Sequence, residues 1–573
     1  MVVVMGSLRL RTVLAAVCVL TLTGTVAGVG AGPAAGSSVR GAAGSGATTE
    51  SYEVHYVPTV GDAVIRVEIW RDTRYDDASQ PVFLTYSPYN SLSEPDPARD
   101  TVGERYVPER YARAVADVLG TRGSTGCWDY GGPKEQQSGV DVVKWLADRD
   151  WSSNRVAMIG GSYNGTTASM VAARGDDVPE LKAIVPISAI SRWYGYAYGD
   201  GVRYLLNSEV PSDEGFDTPL AFDVGFAKTV AADLMGQHFA DTARDRAAEC
   251  DALAHTEEGY NRNPDYDRFW VKRDYCRHAD DFRAAVLLAH GWQDYNVKQQ
   301  EGAELFRALP VDDRSTPRVE GVPLKLMYLT QGSHSGGTRG ERWLPLLDRF
   351  LAHTLMGADN GVRRAGPVIT EGASSNGPTA FRTEADYPLP STDPTTLWLR
   401  NRGGEGALVA RPDRTGGANT GSYVETGTST EEVGSASNLS YVSAPLTRSA
   451  RLVGTAKLHA VVRMQNPTMH LAPVLVDIAP DGSRQTVERG FLHVDYRNGL
   501  DETEPAPGEW VRATVELLPQ DYTFARGHRI GLQVQSSNTV WAVPGNPGTV
   551  DLAEGRVAGA TPVGSRLVLP TIR

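Results

Sequence analysis

Apolar and polar positions change rhythm twice along this chain. From 51 to 90 they alternate or run apolar in short stretches (SYEVHYV, AVIRVEIWRD, PVFLTYSPYN), the signature of strands, the last entering a turn at Pro88. Residues 113–126 read as a strand that ends in a glycine-rich loop. Residues 135–148 have Val140, Val143 and Ala147 on one helical face, and VAMI then KAIVPIS give two more strands. Strands alternating with helices of about a dozen residues predict a mainly parallel, doubly wound α/β sheet over about 50–385, with sites at the strands' C-terminal ends. Between about 190 and 282 the rhythm breaks into an aromatic stretch, SRWYGYAYGDGVRYLLN, and a helix-forming segment at 226–251, a cap inserted over the sheet edge. It resumes with AAVLLAHGWQD, a helix over 297–309, the strand PLKLMYLTQGSH and a helix over 342–356. After about 387 long helical periods vanish. Alternating runs such as RLVGTAKLHAVVRM and HRIGLQVQSS, separated by Gly/Thr/Ser/Asn-rich turns, predict a β-sandwich of jelly-roll type over 390–573.

Within the α/β region one turn carries a chemical signal. After Val156 to Ile159 come Gly160 and Gly161, then Ser162, then the small residues of a helix start. A strand, a tight turn and a helix around one serine form a nucleophile elbow, which exposes the hydroxyl above the sheet edge. The spacing Gly-x-Ser-x-x-Gly occurs again around Ser38 and Ser374, and neither copy follows an apolar strand into a helix. Serine needs a base, and the base needs an acid to hold its tautomer. In doubly wound hydrolases the acid comes first in the chain and the histidine second, each just after a strand. Asp294 in HGWQDYN and His334 in QGSHSGG meet both conditions. His290 and His353 are rival bases, and Asp294 has a bland alternative as a helix cap. The oxyanion would be met by the backbone N–H of Tyr163, with Tyr89 in SPYN as a second donor.

Length and charge narrow the setting. At 573 residues two or three domains are expected, and a net charge of −13 with no basic cluster argues against nucleic acid or an anionic membrane. Arg9 and Arg11 precede an apolar stretch over 13–27 and small residues to Ala35, which reads as a secretory signal and predicts an extracellular protein. Of the cysteines left after such a signal, Cys250 and Cys276 flank one insertion and are the expected pair, leaving Cys127 free. No ligand spacing suggests a metal, and no cofactor is expected.

The segments GSYNG, SAISRWYGYAY, NPDYDRFWVKRDYCRHADDFRAAVLLAHGWQDYNVK and QGSH, followed by a β-rich part, resemble the Xaa-Pro dipeptidyl-peptidase family, whose relatives include cocaine esterase and α-amino-acid ester hydrolases. The resemblance implies an α/β-hydrolase fold with a helical cap and a C-terminal jelly roll, and its triad falls on Ser162, Asp294 and His334. The esterase branch's N-P-Y-D turn matches Ser87 to Asn90 and supports Tyr89 as an oxyanion donor. It implies release of N-terminal Xaa-Pro dipeptides through an acyl-enzyme. Aromatic walls suit a proline ring, which makes Trp193 and Tyr194 pocket candidates. Asn296 is a candidate for orienting the substrate, and Asp200 and Glu209 are guesses for its amine. A homo-oligomer is compatible with the resemblance. The rival readings are an esterase or acyltransferase with the same triad, and a non-catalytic glycan or cell-wall binding protein.

Overall fold

The computed structural model describes residues 49–90, 96–206, 220–221, 264–310, 323–389, 393–400, 405–412, 420–428, 431, 437–555 and 564–572. The expected signal, Ser38, Glu209, Cys250 and the helix expected over 226–251 lie outside the described residues.

The α/β part is built on β1 (Glu50–Pro58), β2 (Val64–Asp72), β3 (Gln80–Ser87), β4 (Ala112–Asp117), β5 (Ser152–Gly161), β6 (Leu181–Ile187), β7 (Ala285–Gly291), β8 (Lys325–Thr330), β9 (Val368–Ser374) and β10 (Gly377–Glu384). They pair in the order β1-β2-β4-β3-β5-β6-β7-β8-β9-β10, parallel from β4 to β9 and antiparallel at both ends. The continuous apolar runs of β3, β5 and β7 follow from this position, because central parallel strands are covered on both faces. One face sends Phe83, Ile159, Val185, Leu287 and Tyr328 against Leu347, Phe350 and Leu351 of α4 (Trp343–Met356). The other sends Leu84, Met158, Ile184 and Leu288 toward Val140, Val143 and Leu146 of α1 (Pro133–Ala147) and Met170 and Val171 of α2 (Tyr163–Ala172).

Helix α1 begins slightly before the expected range, because Pro133 sits in its first turn, where a missing N–H costs nothing. The helix expected from Val297 starts later, as α3 (Gln300–Ala308). Its predicted first turn is spent around Asp294, whose N–H reaches Gly291 O at 3.2 Å and whose Oδ1 accepts from Asn296 N at 3.1 Å.

The C-terminal part is all β, with Leu458, Ala460, Val462 and Met464 of the strand Lys457–Met464 alternating into a core shared with Val515, Leu532 and Leu567. The composition change near 387 is not a break in the hydrogen-bonded ladder. Met327 to Leu329 of β8 pair with Val368 to Thr370, and the far end of the same β9 pairs in parallel with Tyr522 and Thr523 of the strand Gln520–Phe524.

The cysteine expectation is corrected. Cys127 is disulfide-bonded and Cys276 is a free thiol, so Cys276 is not joined to Cys250. Closeness in sequence to one insertion misled, because Cys276 packs beside Ser191 and Arg192, and burial pushes its thiol far above the ordinary range.

Candidate active site

Ser162 stands between β5 and α2 with φ 57° and ψ −128°, a left-handed conformation that a non-glycine residue adopts only under constraint. The constraint is visible on both sides. Ser162 N–H donates to Ile187 O at 2.8 Å, and Ser162 O accepts from Gly165 N at 3.0 Å and Thr166 N at 2.9 Å. The helix folds back so closely that a Cβ on Gly160 would lie 2.4 Å from Asn164 Cβ, and one on Gly165 would lie 2.7 Å from Gly160 O. Gly161, which the spacing does not select, has open space at that position. The two glycines of the motif are thus the ones that sterics require. Ser374, the described one of the two look-alikes, ends β9 in a hairpin and donates to Gly377 O at 3.3 Å.

The strand ends bring the other candidates to the same edge. Ser188, just past β6, donates its N–H to Ala289 O of β7 at 2.8 Å and its Oγ to His334 O at 3.0 Å. Trp292 N–H donates to Thr330 O at 2.7 Å, tying the Asp294 loop to the end of β8. Asp294 and His334 meet directly, with Nδ1 of His334 2.9 Å from Oδ2 of Asp294, and both residues are buried. Burial would raise the Asp294 carboxyl, but the His334 charge and the hydrogen bonds of His290 and His334 outweigh it and hold it at about 2. An ionised Asp294 keeps His334 protonated on Nδ1 and leaves Nε2 to act as a base.

Tyr89 O–H donates to Ser162 Oγ at 3.4 Å. Its turn is anchored by Tyr89 N–H on Ser87 Oγ at 3.1 Å and by Asn90 Nδ2 on Asp117 Oδ1 at 2.7 Å. Tyr163 opens α2, where first-turn N–H groups point along the axis toward the elbow. Its hydroxyl donates to Glu135 Oε1 at 2.7 Å and accepts from Trp128 Nε1 at 2.9 Å, so the ring is locked beneath the elbow.

The pocket candidates divide. Trp193 is 0% exposed, donates from Nε1 to Tyr275 OH at 2.9 Å, and packs on Tyr130 at 4.2 Å and Tyr163 at 5.3 Å between ring centroids. Tyr194 is also buried, its hydroxyl on Pro264 O at 2.6 Å and its ring stacked on Tyr198. Neither forms the open wall expected of them: an aromatic run dense enough to suggest a pocket instead packs on Tyr130, Tyr163 and Tyr275 and on its own Tyr198, and it backs the elbow through Tyr163. Asn296 is half-buried beside the acid. Asp200 lies in the turn between Tyr198–Gly199 and Val202–Arg203, its carbonyl accepting from His493 N at 3.0 Å and burial raising its carboxyl to about 6. Of the rival histidines, His353 lies inside α4 with Nδ1 on Ala358 O at 2.9 Å, whereas His290 contacts Asp294 itself.

What local patterns did not announce is the bracing of the acid loop by β9 and by the β-rich part. Trp292 Nε1 donates to Thr370 Oγ1 at 3.1 Å, Gln299 Nε2 to Glu488 Oε1 at 2.6 Å, and Tyr295 meets Trp541 edge-on at 4.6 Å between centroids. Arg489 lies over the Trp541 ring at 4.3 Å and pairs with Glu431.

This geometry is that of a serine hydrolase, and family models narrow it. A model described as X-Pro dipeptidyl-peptidase (S15 family) matches residues 61–336, and one described as the X-Pro dipeptidyl-peptidase C-terminal non-catalytic domain matches residues 360–561. The chain belongs to the X-Pro dipeptidyl-peptidase family. A Streptomyces avermitilis protein that carries an Xaa-Pro dipeptidyl-peptidase name is 28% identical over 509 residues, covering 76% of this chain and 68% of its own. Among solved structures, a CocE/NonD family hydrolase from Staphylococcus aureus aligns with a TM-score of 0.73 at 17% identity, over 92% of this chain and 97% of that one. An α-amino acid ester hydrolase aligns with a TM-score of 0.68 at 18% identity, over 91% and 97%. At such identities the two structures establish the α/β-hydrolase fold with its all-β C-terminal part.

Proposed function

We propose that the chain is an exported serine exopeptidase that releases N-terminal Xaa-Pro dipeptides through an acyl-enzyme on Ser162. The observation that carries the reading is the pairing of Asp294 with His334 at the strand edge whose elbow holds Ser162 under the Tyr89 hydroxyl. Family membership supports peptide substrates. The N-terminal apolar segment and the disulfide at Cys127 support an oxidising compartment outside the cytoplasm.

In this mechanism His334 Nε2 takes the Ser162 proton as Oγ attacks the carbonyl that follows the dipeptide's side chains. The developing oxyanion is met by the Tyr89 hydroxyl and the Tyr163 N–H, donors already fixed by the Asp117–Asn90 and Glu135–Tyr163 contacts. His334 then delivers the proton to the leaving amine, the peptide shortened by two residues departs, and water attacks the acyl-enzyme by the reverse path. Asp294 stays ionised throughout and stabilises the imidazolium. Asn296, half-buried two residues after the acid, is assigned to orienting the substrate.

The deciding experiment is hydrolysis of an Ala-Pro anilide by the purified protein, alongside simple esters, with Ser162→Ala as control. The expected result is anilide turnover that the substitution removes, by roughly a millionfold in kcat. Ester turnover without anilide cleavage would reject the peptidase in favour of an ester hydrolase. An absence of both, with no fluorophosphonate label on Ser162, would favour a binding protein on a silent hydrolase fold.

A further inference from the structure

Two imidazoles converge on Asp294, and the mechanism uses one of them. His290, at the C-terminal end of β7, is fully buried and holds Nε2 2.9 Å from Val297 O and 3.3 Å from Asp294 Oδ2, the oxygen that also meets His334. A carbonyl oxygen accepts only, so Nε2 carries a proton. The other ring nitrogen is buried and has no hydrogen-bond partner among the described residues. It faces Gly302 of α3, where even a Cβ would lie 2.8 Å from Nδ1. A proton on Nδ1 would therefore be buried without an acceptor, a costly state, and the geometry selects the tautomer that carries its proton on Nε2.

We propose that His290 is a positioning residue for the acid: an Nε2–H donor that closes the Asp294 loop through Val297 O and lies against the carboxylate that serves His334. The inference rests on Ser162, His334 and Asp294 acting together. Asn296 N on Oδ1 and His334 Nδ1 on Oδ2 then hold the carboxylate, and His290 Nε2 lies 3.3 Å from the same Oδ2. A donor on Oδ2 draws charge from the oxygen that stabilises the His334 imidazolium. It thereby keeps His334 available as a base to lower pH than Asp294 and His334 alone would. The other titratable groups near this carboxylate among the described residues are Lys298, buried further along the same loop with Nζ over the Tyr204 ring and lowered by burial to about 7, and, interacting with Lys298, Glu301 of α3, raised by burial to about 7. Both are unchanged in the variants proposed below.

The test is the pH dependence of fluorophosphonate labelling of Ser162 in the full chain, which needs no knowledge of the substrate. His290→Met fills the space with a flexible apolar side chain and removes the donor. His290→Gln restores an N–H near the ring's Nε2. The expected result is that His290→Met labels about tenfold more slowly than wild type near pH 5.5 while the two converge near pH 8.5, and that His290→Gln follows wild type. An unmoved acid limb in His290→Met, or an equal movement in both variants, overturns the proposal. Should His290→Met fail to fold, the ring nitrogens of 15N-histidine wild-type protein decide: a neutral-form signal of the Nε2–H tautomer for His290 supports it, and the Nδ1–H tautomer overturns it. If wild type takes no label at Ser162, the triad reading itself falls and this inference with it. A labelled wild type with an unmoved limb in His290→Met condemns the role of His290 alone.

Discussion

At the proposed nucleophile, the turn that holds Ser162 is made by residues close to it in sequence and on the neighbouring strand: Gly160 against Asn164, Ser162 O under two N–H groups of its own helix, Ser162 N on Ile187 O. At the proposed acid, little is local. Asp294 is fixed by His334 and His290, and its loop by Thr370, Glu488 and Trp541, the last two from the all-β part. The two halves also differ in solvation. Ser162 and Tyr89 remain half-buried where a substrate must arrive, whereas Asp294 has no exposure. A nucleophile has to be reached, and an acid that only holds a base has to be shielded. The C-terminal part thus has a physical reason to be attached to the hydrolase sheet, since it supplies the wall behind the acid.

The largest separation between the halves is expected from Asp294→Asn. The amide can still accept from Asn296 N, but with its NH2 toward His334 it would favour the wrong tautomer and offer no charge to the imidazolium. A fall of roughly 10⁴ in kcat, with an unchanged circular dichroism spectrum, is the expected outcome for the anilide or for any ester the protein turns over. A loss below about tenfold would mean that Asp294 is a loop anchor and that another carboxylate serves His334.

On the opposite half, Tyr89→Phe removes one oxyanion donor and leaves the Tyr163 N–H. The expected loss is roughly a hundredfold in kcat with KM little changed, and Ser162 still takes a fluorophosphonate. A drop matching that of Asp294→Asn would show Tyr89 doing more than stabilising the oxyanion. An unchanged kcat would remove it from the site.

The same contrast explains how far the sequence could be read. The mainly parallel sheet, the elbow and the all-β C-terminal part were legible because each rests on short-range pattern: apolar runs where β3, β5 and β7 are covered on both faces, glycines where α2 crosses β5, alternation where one face of a sandwich is wet. Asp294 and His334 were legible as candidates because each follows a buried strand. The start of α3 was misplaced because a hydrophobic period cannot register that residues 294–299 are recruited by tertiary contacts. Trp193 and Tyr194 look alike in sequence whether they line a pocket or pack beneath one, and only their partners Tyr275, Tyr130 and Tyr198 show the second. Cys127 and Cys276 carry no local mark of which is bonded. Glu488 and Trp541 lie about two hundred residues or more beyond the loop they brace, and no spacing rule links them to it.

The smallest predicted effect probes the support under the nucleophile. Glu135 is fully buried beneath Tyr163, and burial raises its carboxyl from 4.5 to about 7, against the pull of hydrogen bonds from the Tyr163 hydroxyl and Gly131 N–H. Below about pH 4.5 the group is protonated in folded and unfolded chains alike and contributes no pH dependence. From there to about pH 7 the unfolded chain ionises while the folded protein keeps the proton, so wild-type stability falls as pH rises, and above that both forms are ionised and the slope ends. Glutamine titrates in neither state. Glu135→Gln carries a constant penalty, since its NH2 meets the Gly131 donor. Even so, its stability relative to wild type is expected to improve by about 3 kcal/mol between pH 4.5 and pH 8 in urea denaturation. A difference that stays flat over that range would mean that the folded protein holds Glu135 ionised. The ring of Tyr163 would then rest on a charge, and the nucleophile half would resemble the acid half more closely than its burial suggests.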